Sequence, residues 1–154
     1  MSDITTNPYI RKIDVTSSWK GNFQTEHKVR EFSFKVDEPE KIGGDNLAPT
    51  PLEYVLGSLN GCLLVVIKLV AEETGFHFQD IDIASKGWVD KRGLKGEPVS
   101  PYYQRVDNTI MILSDESEDR FNQLKELVLK RCPLYNLIKD ANVEIVLNWR
   151  LSKF

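Results

Sequence analysis

Cysteine is scarce in this chain, with two among 154 residues, Cys62 and Cys132. That excludes a disulfide-stapled scaffold, and a chain of this length can bury a core without one. Histidine is equally sparse, represented by His27 and His77 alone. Neither cysteine falls in a Cys-x-x-Cys or Cys-x-x-His pattern and the histidines stand apart, so no metal site is expected. There is no Gly-x-Ser-x-Gly elbow and no Walker-type phosphate loop, and Gly43-Gly44 by itself does not make one. No cofactor is expected. Excess charge of either sign is missing too: the formal net charge is −3, from 20 Lys and Arg scattered among 23 Asp and Glu. Without a basic cluster, nothing in the sequence attracts nucleic acid or an anionic membrane. The most apolar run, Cys62 to Ala71, is interrupted by Lys68 and is too short to span a bilayer. The opening stretch MSDITTNPYIRK lacks the basic patch and apolar segment of a secretory signal. A cytoplasmic, single-domain protein over residues 1–154 is the expectation.

What is present is a mixture of strand and helix signals. Ile13-Asp14-Val15-Thr16 and Val29 to Val36 are rich in β-branched and aromatic residues, and Phe32, Phe34 and Val36 alternate with polar neighbours. Gly21-Asn22 reads as the turn between two strands. Asp37 to Thr50, DEPEKIGGDNLAPT, is a long connector dense in turn residues. From Thr50 a long helix is predicted, with Leu56, Leu59, Leu63, Val66, Ile67 and Val70 at helical spacing. Thr50 and Glu53 form a capping box, Pro51 suits the first helical position, and Gly75 ends the helix. Gly57, Ser58 and Gly61 leave part of that helix nearly bare, which fits close approach by another backbone.

Strands follow over Ile81 to Val89 and Gln104 to Leu113. A second amphipathic helix is predicted over Ser114 to Arg131, then a short one opening at Cys132-Pro133, then a strand over Val143 to Leu151. This order does not alternate as a parallel sheet would. An α+β fold with an antiparallel sheet packed on the long helix is expected.

The two thiols read differently from their local settings. Cys62 lies on or beside the apolar stripe of the long helix, where burial raises a thiol pKa and makes the sulfur inert. Cys132 stands at the start of the Pro133 helix, where free backbone N–H groups and the positive end of the helix dipole stabilise thiolate. On these grounds Cys132 is the more reactive-looking of the two.

The combination Asp37-Glu38-Pro39, Gly43-Gly44, Pro49-Thr50-Pro51-Leu52-Glu53-Tyr54, Gly61-Cys62, Gly87-Trp88-Val89-Asp90-Lys91-Arg92-Gly93 and Arg131-Cys132-Pro133-Leu134 resembles the OsmC/Ohr hydroperoxide-resistance family. The resemblance implies an intertwined homodimer with active sites at the subunit interface. It implies a thiol peroxidase of oxidative stress defence that reduces organic hydroperoxides, with Cys62 attacking the peroxide and Cys132 resolving the sulfenic acid to a disulfide. A dithiol reductant, lipoyl-type or other, would reset the pair. In the peroxidase branches a glutamate directly follows the helix-starting proline, a slot that holds Leu52 here, with Glu53 one position later. The family arginine has no counterpart in Trp19-Lys20-Gly21, and Arg30 is the best substitute, with Lys20 behind it. The resemblance therefore offers Cys62, Cys132, Arg30 and Glu53 as catalytic residues. The alternative is a non-catalytic dimer of the same fold that binds a small apolar or acyl ligand at the interface.

Overall fold

A computed structural model describes residues 4–154, which fall into a first unit ending at Tyr54 and a second unit, Val55–Phe154. Each unit is organised by its own sheet.

In the first unit, β1 (Thr16–Gly21), β2 (Gln24–Val29) and β3 (Phe32–Val36) form an antiparallel meander. Ile13, Asp14 and Val15, expected in a strand, precede β1 as irregular chain. Gly21 (φ 120°) and Asn22 (φ 48°) make the first turn as their sequence predicts, because both residue types tolerate positive φ. After β3 the chain enters the Pro- and Gly-rich connector, which is held together by one carboxylate. Asp37 is fully buried and accepts the backbone N–H groups of Glu38 at 2.8 Å and Leu47 at 3.0 Å. The connector folds so tightly that a Cβ on Gly44 would lie 1.9 Å from the Glu38 carbonyl oxygen, so only glycine fits there.

The long helix α1 (Pro51–Thr74) opens on the expected capping box. The Glu53 N–H donates to Thr50 Oγ1 at 3.2 Å, and the Thr50 N–H donates to the Glu53 carboxylate at 2.7 Å. These reciprocal bonds satisfy donors that the first helical turn leaves unpaired. At the other end Gly75 adopts φ 65°, and the Phe76 N–H closes on the Ala71 carbonyl at 2.9 Å.

The second unit continues with β4 (Asp80–Val89), β5 (Tyr103–Leu113), α2 (Glu118–Arg131), α3 (Pro133–Asp140) and β6 (Glu144–Ser152), its sheet ordered β4-β5-β6. The β4–β5 pair is antiparallel, but β6 runs parallel to β5 from Arg105 opposite Glu144 to Leu113 opposite Ser152. The expected antiparallel sheet is thus mixed at this edge. The α2–α3 segment is a helical crossover that returns the chain to the end where β5 began, as parallel pairing requires. Helix α2 starts later than its sequence predicts, capped by Ser117 Oγ, which accepts the Arg120 N–H at 3.3 Å. Ser114 is buried instead, its hydroxyl donating to the His77 carbonyl.

The core of this unit is made by Leu59, Leu63, Ile67 and Val70 of α1, Val106, Ile110 and Ile112 of β5, and Phe121, Leu124 and Val128 of α2. Asn60 of α1 reaches the Ser85 hydroxyl on β4 and the Asn108 amide on β5, which seats the helix on the sheet. By length and composition α1 is apolar enough to cross a membrane, a property hidden in the sequence by the shortness of its uninterrupted run. Its inward residues are committed to this core, and its outer side carries the Lys68–Glu72 ion pair. Burying each such Leu or Ile contributes about 1.5–3 kcal/mol.

Removing Leu63, which is fully buried, should cost about 2–5 kcal/mol as Leu63→Ala, read as a lowered denaturant midpoint. A second outcome concerns Asp37. Its backbone partners, Leu47 foremost, outweigh desolvation and hold its pKa below 3.8. A lowered folded pKa stabilises above the unfolded pKa and is lost as pH falls through the folded value. Asp37→Asn should therefore lower the melting temperature at pH 7, and the gap from the parent should narrow as the pH falls below about 4.

Candidate active site

The two thiols are brought together from elements that the chain joins only through its sheet. On α1, Cys62, Val65, Val66, Leu69, Val70 and Glu73 recur at three- and four-residue intervals and so share one side of the helix. On the opposing element, α2 ends at Arg131, and Cys132 caps both α2 and α3 with extended backbone, φ −71° and ψ 112°. Pro133 is the cause, because it disfavours helical geometry in the residue before it and suits the first position of a new helix.

The Cys132 N–H still closes α2 by donating to the Val128 carbonyl at 2.9 Å, while its side chain is fully buried. The Cys132 sulfur donates to the Cys62 sulfur at 3.4 Å. Both cysteines are free thiols. A disulfide needs about 2.05 Å, so the two sulfurs are in contact but not bonded.

The environments of the two sulfurs are opposite to those read from sequence. Cys132, expected to favour thiolate, has its thiol pushed up to about 11. Burial is the largest cause; the N–H groups of Tyr135 and Leu134 act the other way, and the neighbouring Cys62 adds to the rise. Cys62, expected on or beside the apolar stripe, lies beside it and is partly exposed. It lies in a groove of about 520 Å³ lined chiefly by Gly61, Val65, Val66, Leu69 and Pro133, with Glu73 and Arg131 also on its wall. Arg131, which the sequence reading passed over, pairs with Glu73 at 2.5 Å across the groove. With side chains 44% and 56% exposed, this pair contributes roughly 0–1 kcal/mol and serves mainly to orient the guanidinium. The signal that could have found it is adjacency to Cys132.

The other two candidates belong to the first unit. Glu53 is engaged in the capping box, and Arg30 sits at φ 52° in the β2–β3 turn with its guanidinium 4.9 Å from the Phe32 ring centre. Among the described residues no group of three or more His, Cys, Asp or Glu converges on a point that could hold a metal ion.

Fold and site together define an α+β protein that holds a reduced cysteine pair at an apolar groove of its core helix. The family described as OsmC-like protein matches residues 43–148 of the chain. No curated protein matches its sequence. Among solved structures, an OsmC-like protein from Mycoplasma pneumoniae is 20% identical with a TM-score of 0.80, over 92% of this chain and 98% of that one. An organic hydroperoxide resistance protein OsmC from Legionella pneumophila is 13% identical with a TM-score of 0.64, covering 93% and 98%. The organic hydroperoxide resistance protein OhrB of Bacillus subtilis is 14% identical with a TM-score of 0.60, covering 91% and 98%. The chain belongs to the OsmC-like protein family.

The burial of Cys132 has a direct consequence for labelling. In Cys62→Ser, which removes the neighbour's part of the rise but leaves the burial that is its largest cause, iodoacetamide should still modify native Cys132 far more slowly than the same cysteine in the unfolded chain, as followed by mass spectrometry. Labelling at the rate of an open thiol at pH 7 would contradict the buried setting.

Proposed function

We propose that this protein is a thiol-dependent peroxidase that reduces organic hydroperoxides through a Cys62 sulfenic acid and a Cys62–Cys132 disulfide. The observation that carries the proposal is the 3.4 Å contact between a partly exposed sulfur and a buried one at an apolar groove. The groove suits the organic part of a hydroperoxide, and the exposed sulfur is the one a substrate reaches. Cys62 attacks the distal peroxide oxygen; a sulfur–oxygen bond forms, the oxygen–oxygen bond breaks, and the alkoxide leaves as alcohol after taking up a proton. The Cys132 sulfur then displaces the hydroxyl from Cys62, and its proton leaves with that oxygen as water. An external dithiol, lipoyl-type or other, returns both sulfurs to thiols by exchange. A reducing, cytoplasmic setting fits a pair that rests as free thiols. The names of the Legionella and Bacillus structures, both organic hydroperoxide resistance proteins, point the same way.

The protein is proposed to act as a homodimer. Val55, Gly57, Ser58, Gly61, Val65 and Leu69 lie exposed along α1, and a Cβ added to Gly57 or Gly61 meets nothing within 4 Å. The chain's own backbone therefore leaves this small-residue surface open for a second copy.

Among the described residues Arg131 is the one cation on the groove wall, and it is already paired with Glu73. That observation favours a second reading, a non-catalytic dimer that holds a small apolar or acyl ligand in the groove.

Hydroperoxide consumption with a dithiol reductant separates the two. Wild type should turn over cumene hydroperoxide, Cys62→Ser should lose turnover entirely, and Cys132→Ser should react once and accumulate sulfenic acid that dimedone traps. Wild-type cysteines inert to peroxide, with an acyl ligand retained in native mass spectrometry, would establish the binding reading instead.

A further inference from the structure

Pro133 brings Cys132 to its position at a cost to the backbone. In an uninterrupted helix the Leu129 carbonyl accepts the N–H of the residue four positions later, and that residue is Pro133, which has none. The structure fills the gap from α3: Asn136 Nδ2 donates to the Leu129 carbonyl at 2.9 Å and to the Cys132 carbonyl at 2.8 Å. The Asn136 backbone N–H donates to the same Cys132 carbonyl at 3.1 Å. With the Cys132 N–H on Val128 at 2.9 Å, the cysteine backbone is fixed on both sides. Its side-chain torsion is then the remaining freedom by which the sulfur can close on Cys62.

We infer that Asn136 is a positioning residue for the resolving step, its side-chain amide clamping the α2–α3 break so that the Cys132 sulfur stays within reach of Cys62. The inference rests on the peroxidase reading, and it adds a residue that touches neither peroxide nor sulfur. In the resolving step the Cys132 sulfur bonds to the Cys62 sulfur, the Cys62 sulfur–oxygen bond breaks, and hydroxide leaves with the Cys132 proton as water. The clamp changes none of that chemistry; it sets how often the two sulfurs are aligned. When alignment is lost, Cys62 sulfenic acid survives long enough to meet a second hydroperoxide. That molecule oxidises it to sulfinic acid and departs as alcohol. Asn136 therefore governs the partition of Cys62 between disulfide and sulfinic acid.

The test compares wild type with Asn136→Ala and with Asn136→Asp, which keeps the shape but removes both amide donors. Cumene hydroperoxide is added in small excess, and the quenched protein is analysed by mass spectrometry for dimedone-trapped sulfenic acid, disulfide and sulfinic acid. Both variants should form sulfenic acid at the wild-type rate, form disulfide at least about tenfold more slowly, in keeping with the sensitivity of reacting groups to small misplacement, and accumulate sulfinic acid. Disulfide formation driven by diamide, which needs no peroxide chemistry, should slow by a similar factor. Asn136→Ala measures the clamp if Asn136→Asp fails to fold, and the reverse holds equally. Wild-type disulfide rates in folded variants overturn the positioning role and leave the peroxidase reading intact. Slow diamide closure in the variants, together with no sulfenic acid in wild type, sinks the peroxidase reading and keeps the clamp.

Discussion

The missing amide hydrogen of Pro133 is the constraint on which the site depends. Because that donor is absent and the proline ring keeps the residue before it out of helical geometry, α2 stops at Arg131, Cys132 takes extended backbone, and α3 begins at once. A continuous helix would carry the Cys132 side chain round with its neighbours. The break aims it at Cys62, and Asn136 supplies the hydrogen bond that the proline withholds. The same break shapes the topology, since α2 and α3 together form the crossover that lays β6 parallel to β5.

Helix α1 supplies the other half of the arrangement, and its two sides face different solvents. The inward side, Leu59, Leu63, Ile67 and Val70, is committed to the core. The outer side keeps small and apolar residues exposed, and Cys62 lies between the two. The division gives the sulfurs different surroundings: desolvation holds Cys132 as a thiol, whereas partial exposure leaves Cys62 open to the groove. Two residues of one chemical kind are thus differentiated by burial, because removing a thiolate from water is costly and a neutral thiol is scarcely affected.

The features legible in the sequence were local. Thr50, Pro51, Glu53 and Gly75 announced the ends of α1 because capping is made within a few residues of chain. The Gly21-Asn22 turn and the Cys132-Pro133 break were legible for the same reason. Less was legible where the partner was distant. Asp37 sits in a turn-rich stretch that suggested only a connector, yet its carboxylate organises that loop through Leu47, ten positions on. Nothing in the sequence marks Asn136, and Arg131 stands there only as the neighbour of Cys132; the fold brings Glu73 and the orphaned Leu129 carbonyl beside them.

The sequence by itself determined that the chain is an α+β protein with a long capped helix, a proline-broken helix pair and two thiols in a family-like setting. Hydrogen bonds closed over a few residues, and the period of apolar side chains, carry that information without reference to the rest of the molecule. Only the tertiary structure decided which thiol is buried, that the sulfurs lie 3.4 Å apart, and that the last strand runs parallel. Burial and proximity are properties of packing between elements distant in sequence, so the helix-terminus effect that favoured a reactive Cys132 was outweighed once the core closed around it.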